Sequence, residues 1–290
     1  MKYILLFIPA IGWGLMPLVI ASIKKSTVYN QIVGTVAGAF IFGVILMAIV
    51  RPTITWPLFW ISALAGALWV VGQVGQYISY EKIGVSETMP ISTGLQLIGV
   101  PLVGMIFFGE WAKTQQKIWG FLGIIILIIG VVFTSLTDQK TEEGSKKNQV
   151  ATIILLIVTS LGYISSSSLP QTSIAVQGDS ISFFFGQTAG MLVAVFIYTL
   201  VTGNTHAWVE KTSLQGGAAG LLYGIAQLAY VFSVKDNGVN ISFVMSQLCV
   251  VISTLGGIIF LKEAKSRRDL IFTIIGLVLI IAGAVITRIF

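Results

Sequence analysis

Apolar stretches of about 20 residues alternate with short polar connections along the whole chain. An α-helix needs roughly 20 residues to cross the hydrocarbon of a bilayer, so each stretch predicts a membrane-spanning helix. The predicted spans cover residues 3–21, 31–50, 58–80, 87–108, 117–136, 150–168, 181–201, 214–234, 241–261 and 269–287. The pattern therefore predicts an all-α polytopic membrane protein with ten transmembrane helices.

The longest polar connection, TDQKTEEGSKKNQ at residues 137–149, lies near the middle of the chain with five predicted spans on either side. Residues of the two halves correspond at a nearly constant offset: Gln73 with Gln227, Gly84 with Gly238, Glu110 with Glu263, and Gly130 with Gly283. Because five is odd, a second copy enters the membrane in the opposite sense. The sequence therefore predicts two inverted five-helix repeats, residues 1–136 and 150–290, joined by the 137–149 linker, as is typical of secondary transporters.

Composition supports a membrane protein and excludes a soluble one. Charged residues make up 10% of the chain and hydrophobic residues 56%, whereas soluble domains carry charge on roughly a quarter of their residues. The Lys and Arg residues lie in short connections beside the spans, so the net charge of +6 indicates membrane orientation rather than nucleic-acid binding. Their distribution predicts both termini outside and the odd-numbered connections in the cytoplasm. The lipid bilayer is the expected partner.

The residues that catalysis and metal binding require are scarce. The single cysteine, Cys249, lies in an apolar run, and the single histidine, His206, lies in a polar connection. No carboxylate pair occurs in the middle of a span, so general acid–base or metal-assisted chemistry has no candidate groups. We therefore expect no catalytic residue, no metal site and no cofactor, which argues against an intramembrane enzyme.

Two spans carry matching stripes of aromatic and amide side chains. Trp69, Gln73 and Gln76 recur at spacings of four and three residues, which places them on one face of the third helix, and Tyr223 and Gln227 repeat the pattern in the eighth. Polar groups inside a bilayer are costly unless they are paired or face water. The stripes predict the walls of a cavity; the alternative is that the glutamines only join neighbouring helices.

Other spans add candidates for the same cavity. The fourth and ninth spans carry Ser92, Gln96, Ser246 and Gln247, and Trp13 lies between two glycines in the first span. Glutamine amides both donate and accept hydrogen bonds, as sugar hydroxyls do, and aromatic faces pack on the C–H groups of a sugar ring. The predicted substrate-binding residues are Trp13, Trp69, Gln73, Gln76, Ser92, Gln96, Tyr223, Gln227, Ser246 and Gln247. This set favours a neutral, polyhydroxylated ligand.

Glu87 is the acidic residue closest to the membrane interior on a predicted cavity helix, so it is the candidate for proton coupling. Alternatively, because it follows Ser86 at a predicted helix start, its charge complements the positive end of the helix dipole. In the same span Pro90 and Pro101 predict a bend, in either a moving gate or a static helix.

The remaining patterns concern packing. The fifth and tenth spans are apolar nearly all round, so they are expected to face lipid or a partner subunit, for example in a homodimer through helices 5 and 10. The four-residue glycine spacings of the second and seventh spans, Gly34 with Gly38 and Gly186 with Gly190, predict close helix contacts.

Several stretches resemble one known family. They are GVSETMPISTGLQL at residues 84–97, YNQ at 29–31, FGEW at 108–111, SQL at 246–248 and STLGG at 253–257. Together they look like the bacterial glucose/ribose uptake family of the drug/metabolite transporter superfamily, and the resemblance covers essentially the whole chain. The last two stretches look more like the glucose-type member than the ribose-type.

The resemblance implies a carrier that takes up a monosaccharide together with protons, by alternating access, in the plasma membrane of a Gram-positive bacterium. Glucose is the expected substrate; ribose uptake and export of drugs or metabolites are the alternatives. Against export, the first span lacks the buried acid that a cation antiporter needs. Glu110 and Glu263 match the superfamily's Gly-Glu turn after the fourth helix of each repeat, so we expect them to be structural. In the second copy Lys262 replaces the glycine.

Overall fold

The computed structural model describes residues 2–135, 143–263 and 266–287, and every regular element within them is helical. Ten helices are long and apolar enough to span a membrane. They are α1 (Lys2–Ser22), α2 (Val28–Val50), α3 (Trp56–Ile83), α4 (Val85–Phe107), α5 (Thr114–Ser135), α6 (Glu143–Ser168), α7 (Ser180–Val201), α8 (Lys211–Asn237), α9 in two parts, α9a (Val239–Ser246) and α9b (Cys249–Ile259), and α10 (Arg267–Ile286). The all-helical fold with ten spans is therefore confirmed.

The predicted linker is shorter than the sequence indicated. Residues 137–142 lie outside the described residues, but α6 already begins at Glu143, so residues 143–149 are helical. Their polar composition predicted a connection, although Glu, Lys and Gln are also good helix formers. The division into inverted repeats stays a prediction.

Several helices begin at side chains that cap their first turn. Thr27 and Asn30 form a reciprocal capping box at the start of α2, where the side chain of each accepts from the backbone N–H of the other. Asp179 accepts from the Ser182 N–H at the start of α7, at 2.8 Å. Such caps replace the hydrogen bonds that the first N–H groups of a helix lack. They explain why spans that are apolar almost throughout begin at defined residues.

Glycines bring helices of the two halves into backbone contact. A Cβ on Gly34 or Gly38 of α2 would collide with the backbone of α8 at Ser213 or Gly217. On the other side of the molecule, a Cβ on Gly190 of α7 would collide with the backbone of α3. Small residues allow membrane helices to approach closely, and we call these two contacts the glycine seams. The predicted role of these glycines in close packing therefore agrees with the structure.

Helices α5 and α10 pack against each other through a second set of glycines. Gly130 lies against the carbonyl of Gly276, and Gly123 lies against the carbonyl of Gly283. Their outward faces remain exposed and apolar, for example at Ile125. Each helix is thus the partner of the other within one chain, and the homodimer through helices 5 and 10 stays a prediction.

The remaining helices enclose the centre of the molecule. Helices α1, α3, α4, α6, α8 and α9 pack around one another, and the break in α9 at Gln247 and Leu248 lies among them. The polar stripes of α3 and α8 turn towards this centre, since Gln73 and Gln227 are both buried. The fold thereby gathers buried amides and hydroxyls near the middle of the bilayer.

Candidate functional site

A cavity lies between the six central helices, about halfway along α1, α3 and α8. It is lined by Trp13, Met16 and Pro17 of α1; Trp69, Gln73, Gln76 and Tyr80 of α3; Met89, Thr93 and Gln96 of α4; Tyr163, Ser166 and Ser167 of α6; Tyr223 and Gln227 of α8; Gln247 before α9b; and Cys249. Its volume is about 60 Å³, which is enough to hold water.

Most of the residues predicted for the site meet at this cavity. Eight of the ten line it: Trp13, Trp69, Gln73, Gln76, Gln96, Tyr223, Gln227 and Gln247. Ser92 and Ser246 are not lining residues; they lie behind the wall, where each contacts a lining glutamine. The structure thus brings the large side chains of the stripes to one cavity, whereas the two short serine side chains do not reach its surface.

Hydrogen bonds join the glutamines of the first stripe. The Tyr163 hydroxyl lies 2.8 Å from Gln73 Oε1 and 3.0 Å from Gln76 Oε1. Gln76 Nε2 donates to Ser92 Oγ at 3.0 Å, and Gln96 Nε2 donates to the same oxygen at 3.1 Å. The network connects α3, α4 and α6, so these glutamines both line the cavity and hold helices together.

The second stripe is supported from α7. Gln227 Nε2 donates to Gln187 Oε1 at 2.9 Å, and Gln187 is fully buried behind it. Gln187 Nε2 in turn lies 3.4 Å from Ser166 Oγ, a lining residue of α6. A buried amide with both ends bonded holds one orientation. Gln187 is therefore held in one orientation, and its Oε1 holds the Nε2 end of the Gln227 amide.

Aromatic rings beside these glutamines also line the cavity, and two of them carry unpaired polar atoms. The rings of Trp69 and Tyr223 are 4.4 Å apart between centroids, tilted by 48°, and Trp13 packs on Tyr230 at 5.3 Å. Among the described residues, Trp13 Nε1 and the Tyr223 hydroxyl are buried without a hydrogen-bond partner. Buried donors are normally paired. These two atoms therefore have hydrogen-bonding capacity that no described group of the protein uses.

The cavity is electrically neutral. None of the described lining residues is Asp, Glu, Lys, Arg or His. Glu87 lies elsewhere, half-buried in the first turn of α4, where its Oε1 accepts from Gln149 Nε2 at 2.6 Å. The structure therefore does not bring the candidate proton-coupling residue to the cavity surface.

Several lining residues were not predicted, and Tyr163 is the most informative. Its ring packs on Gly72 of α3, where a Cβ would lie 2.5 Å from the ring. The signal in the sequence was an aromatic residue beside Gly162 in mid-span, the same surroundings that singled out Trp13. Met16, Met89 and Cys249 gave no signal, since an apolar side chain in an apolar helix does not reveal which way it faces.

Comparison with known proteins gives one matching family model. The model described as "Sugar transport protein" matches residues 4–290. A protein of Lactobacillus johnsonii is 71% identical over 290 residues, covering 100% of both chains, and one of Lactobacillus helveticus is 41% identical over 286 residues, covering 99% of this chain and 100% of its own. Both carry the name "Putative sugar uptake protein".

Two further similarities concern substrate name and fold. A protein of Latilactobacillus sakei, 35% identical over 285 residues and covering 96% of this chain and 95% of its own, is named "Putative ribose uptake protein". A solved structure titled "Crystal structure of protein" superposes with a TM-score of 0.70 at 14% identity, covering 99% of this chain and 96% of that one. At this identity the second similarity concerns the fold alone.

Proposed function

The chain belongs to the sugar transport protein family, and on this basis we propose that it takes up a neutral monosaccharide, most readily glucose, by alternating access. It is a multi-pass protein of the bacterial plasma membrane and a transporter rather than an enzyme. The substrate, the residues that bind it and the transport mechanism are the proposed parts.

The observation that carries the proposal is the pair of unpaired buried groups in a neutral cavity. Trp13 Nε1 is a donor only, while the Tyr223 hydroxyl both donates and accepts. A sugar hydroxyl oxygen accepts from the indole, and another hydroxyl pairs with the phenol. The tilted rings of Trp69 and Tyr223 offer apolar faces for the C–H groups of the same sugar. An ionic substrate would meet no opposite charge among the lining residues.

The glutamines supply the rest of the site in this proposal. The Gln73 and Gln76 amides are held by Tyr163 and Ser92, and the Gln227 amide by Gln187. Groups that are held in place before binding lose little freedom when the ligand arrives. The small cavity, of about 60 Å³, favours one sugar ring over a longer saccharide, and the ring displaces the water that the cavity can hold.

Alternating access is proposed to come from the two halves, residues 1–136 and 150–290, acting as inverted repeats. The helix contacts support it, because the most extensive contacts between the halves recur when the halves are exchanged. Helix α1 packs on α8 as α6 packs on α3, and α2 packs on α8 as α7 packs on α3. A carrier built in this way has two equivalent routes to one central cavity.

Proton coupling through Glu87 is a second part of the proposal. It is supported by the half-buried position of Glu87 in α4, a helix that lines the cavity, and by its contact with Gln149 at the start of α6. Coupling through Glu87 acts on the packing of α4 against α6, because its carboxylate lies outside the cavity. Protonation removes the charge that accepts from Gln149.

The test is uptake of labelled glucose by vesicles that contain the purified protein. Gln73→Ala leaves the Tyr163 hydroxyl without one acceptor, so we expect at least about a tenfold loss of uptake. Gln115→Ala, on an exposed glutamine of α5, is the matched control and keeps the parental rate. Normal uptake by Gln73→Ala removes the stripe from the site, and absence of monosaccharide uptake by the parent rejects the function.

Two additions to the experiment resolve substrate and coupling. Unlabelled ribose and unlabelled glucose compete against labelled glucose, and the stronger competitor identifies the preferred ring. A protonophore then abolishes accumulation above equilibrium if protons drive uptake, and Glu87→Gln abolishes the same accumulation while leaving exchange of sugar intact. Accumulation by Glu87→Gln equal to the parent assigns Glu87 to helix stability alone.

A further inference from the structure

Two glutamates outside the cavity make reciprocal contacts between the halves. Glu110, which follows α4, accepts from the backbone N–H groups of Val239 and Asn240 in the first turn of α9a, at 2.7 and 2.9 Å. Glu263, which follows α9b, accepts from the corresponding groups of Val85 and Ser86 in the first turn of α4, both at 2.8 Å. We call these contacts the Glu110 cap and the Glu263 cap.

Each cap replaces a missing side-chain cap. Helices α4 and α9a begin directly after Gly84 and Gly238, neither of which has a side chain that could bond the first N–H groups. The glycines have nearly the same backbone angles, φ 78° with ψ 169° and φ 80° with ψ 166°, a region that is essentially restricted to glycine. The carboxylate approaches so closely that a Cβ on either glycine would lie 3.0–3.3 Å from it.

The caps join α4 and α9 at both ends of the pair. Each glutamate follows the carboxyl end of one helix and binds the amino end of the other, so the two helices run antiparallel and are fastened twice. Between the caps, Met89, Thr93 and Gln96 of α4 face the cavity, as do Gln247 and Cys249 of α9. Separation of α4 from α9 on either side of the cavity therefore requires the cap on that side to break.

The chemistry of the caps suits a contact that breaks and reforms. A carboxylate that accepts two N–H groups at a helix start gains from both hydrogen bonds and the helix dipole. When a cap breaks, its carboxylate and its N–H groups are near the polar connections and can bind water instead. The Glu110 carboxyl is half-buried, and burial raises its pKa while the N–H groups of Asn240 and Val239 oppose that effect.

We propose that Glu110 and Glu263 are positioning residues of the transport cycle, each of which holds α4 against α9 at one end of the cavity and releases it when the cavity opens to that side. The inference rests on the alternating access proposed above, but not on the identity of the sugar. With both termini outside, as the Lys and Arg distribution predicts, Glu110 closes the outer end and Glu263 the cytoplasmic end.

The test uses Cys249, the single cysteine of the chain, which is buried and lines the cavity. A membrane-impermeant thiol reagent is applied to intact cells and to inside-out vesicles, without sugar. Glu110→Ala removes two charge-assisted hydrogen bonds, so it is expected to raise labelling of Cys249 at least about tenfold, from outside only. Glu263→Ala is expected to raise it by a similar factor from the cytoplasmic side only.

Controls separate sidedness from loss of structure. Cys249→Ser removes all labelling, and Asp236→Ala, on an exposed carboxylate two residues before Gly238, keeps the parental pattern. Glu110→Gln and Glu263→Gln keep one acceptor and the side-chain size, so they shift labelling in the same directions by smaller factors. They carry the test if the alanine variants do not fold.

The outcomes are distinct. Unchanged labelling in both variants, or increased labelling from both sides in either one, overturns the inference, because a purely structural cap loosens the protein without regard to side. If the two alanine variants are labelled more from opposite sides of the membrane but the protein takes up no monosaccharide, the inference stands and the proposed substrate is rejected. If the protein takes up sugar but neither variant changes the labelling of Cys249 from either side, only the inference is rejected.

Discussion

Helices α4 and α9 occupy corresponding places in the two halves and yet differ in the middle. Both begin after a glycine with the same unusual backbone angles, and both are followed by a capping glutamate. Helix α4 runs unbroken from Val85 to Phe107 although it contains Pro90 and Pro101. Helix α9 contains no proline and breaks at Gln247 and Leu248. Proline content therefore does not locate the break.

Hydrogen bonds to two corresponding serines differ between the helices. In α9a, Ser246 Oγ donates to the carbonyl of Phe243 at 2.6 Å, and the backbone beyond it forms tight turns such as Val250 N–H to Gln247 O. Serine bonds of this kind compete with the helical pattern. In α4, Ser92 Oγ instead accepts from Gln76 and Gln96. The two corresponding serines therefore have different partners, and only Ser92 accepts from a side chain of another helix.

The largest expected effect concerns the shared feature, the glycine at the start of each helix. Gly84→Ala and Gly238→Ala each force a side chain into a glycine-only conformation and against a carboxylate, so each is expected to cost about 2 kcal/mol or more. Thermal unfolding in detergent measures the loss. Gly217→Ala, whose Cβ would meet nothing within 4 Å, is the control. Unequal losses from the two substitutions would break the equivalence of the helix starts.

A smaller effect is expected where the helices differ. Ser92→Ala leaves the amides of Gln76 and Gln96 without a shared acceptor, at a cost of about 1–2 kcal/mol, which raises the KM for sugar by about tenfold. Ser246→Ala removes a local bond to the carbonyl of Phe243 and a long one, 3.3 Å, from Nε2 of the adjacent Gln247. It is expected to change KM by less than about threefold. Uptake kinetics of the two variants are compared. A larger effect at Ser246 would show that the break itself forms the site.

The smallest effect concerns the turns that follow the helices. Gly109 and Lys262 occupy corresponding positions, and both are left-handed, with φ of 69° and 55°. Only glycine adopts this conformation without strain, so Lys262→Gly is expected to stabilise the protein by about 0.5–1 kcal/mol and Gly109→Ala to destabilise it by a similar amount. Melting temperatures of the pair provide the measurement. Shifts of the same sign would show that contacts of Lys262 outweigh its backbone strain.

The sequence predicted those parts of the site that depend on one helix. Trp69, Gln73 and Gln76 share a face because of helical spacing, and the structure places that face on the cavity. Tyr163 was not among the predicted binding residues although Gly162 lies beside it in mid-span, and Cys249 was missed because an apolar side chain in an apolar helix does not reveal which way it faces. The neighbours of a side chain on another helix leave no local signal.

The same limit applies to the caps and the linker. Glu110 and Glu263 were recognised as turn residues, but their partners lie more than a hundred positions away in the chain. The start of α6 at Glu143 was read as a connection because polar composition describes a helix outside the membrane and a loop equally well. Tertiary contacts decide both cases.

The glycine seams also determine when this protein can fold during its synthesis. The first five helices leave the ribosome before α7 and α8, yet Gly34 and Gly38 of α2 have their close contact on α8, and Gly66 of α3 has its close contact on α7. The first half therefore waits in the bilayer with its small-residue faces exposed to lipid until the second half is inserted. Two fragments divided between residues 136 and 143 should consequently assemble when they are produced together, and each should be short-lived alone.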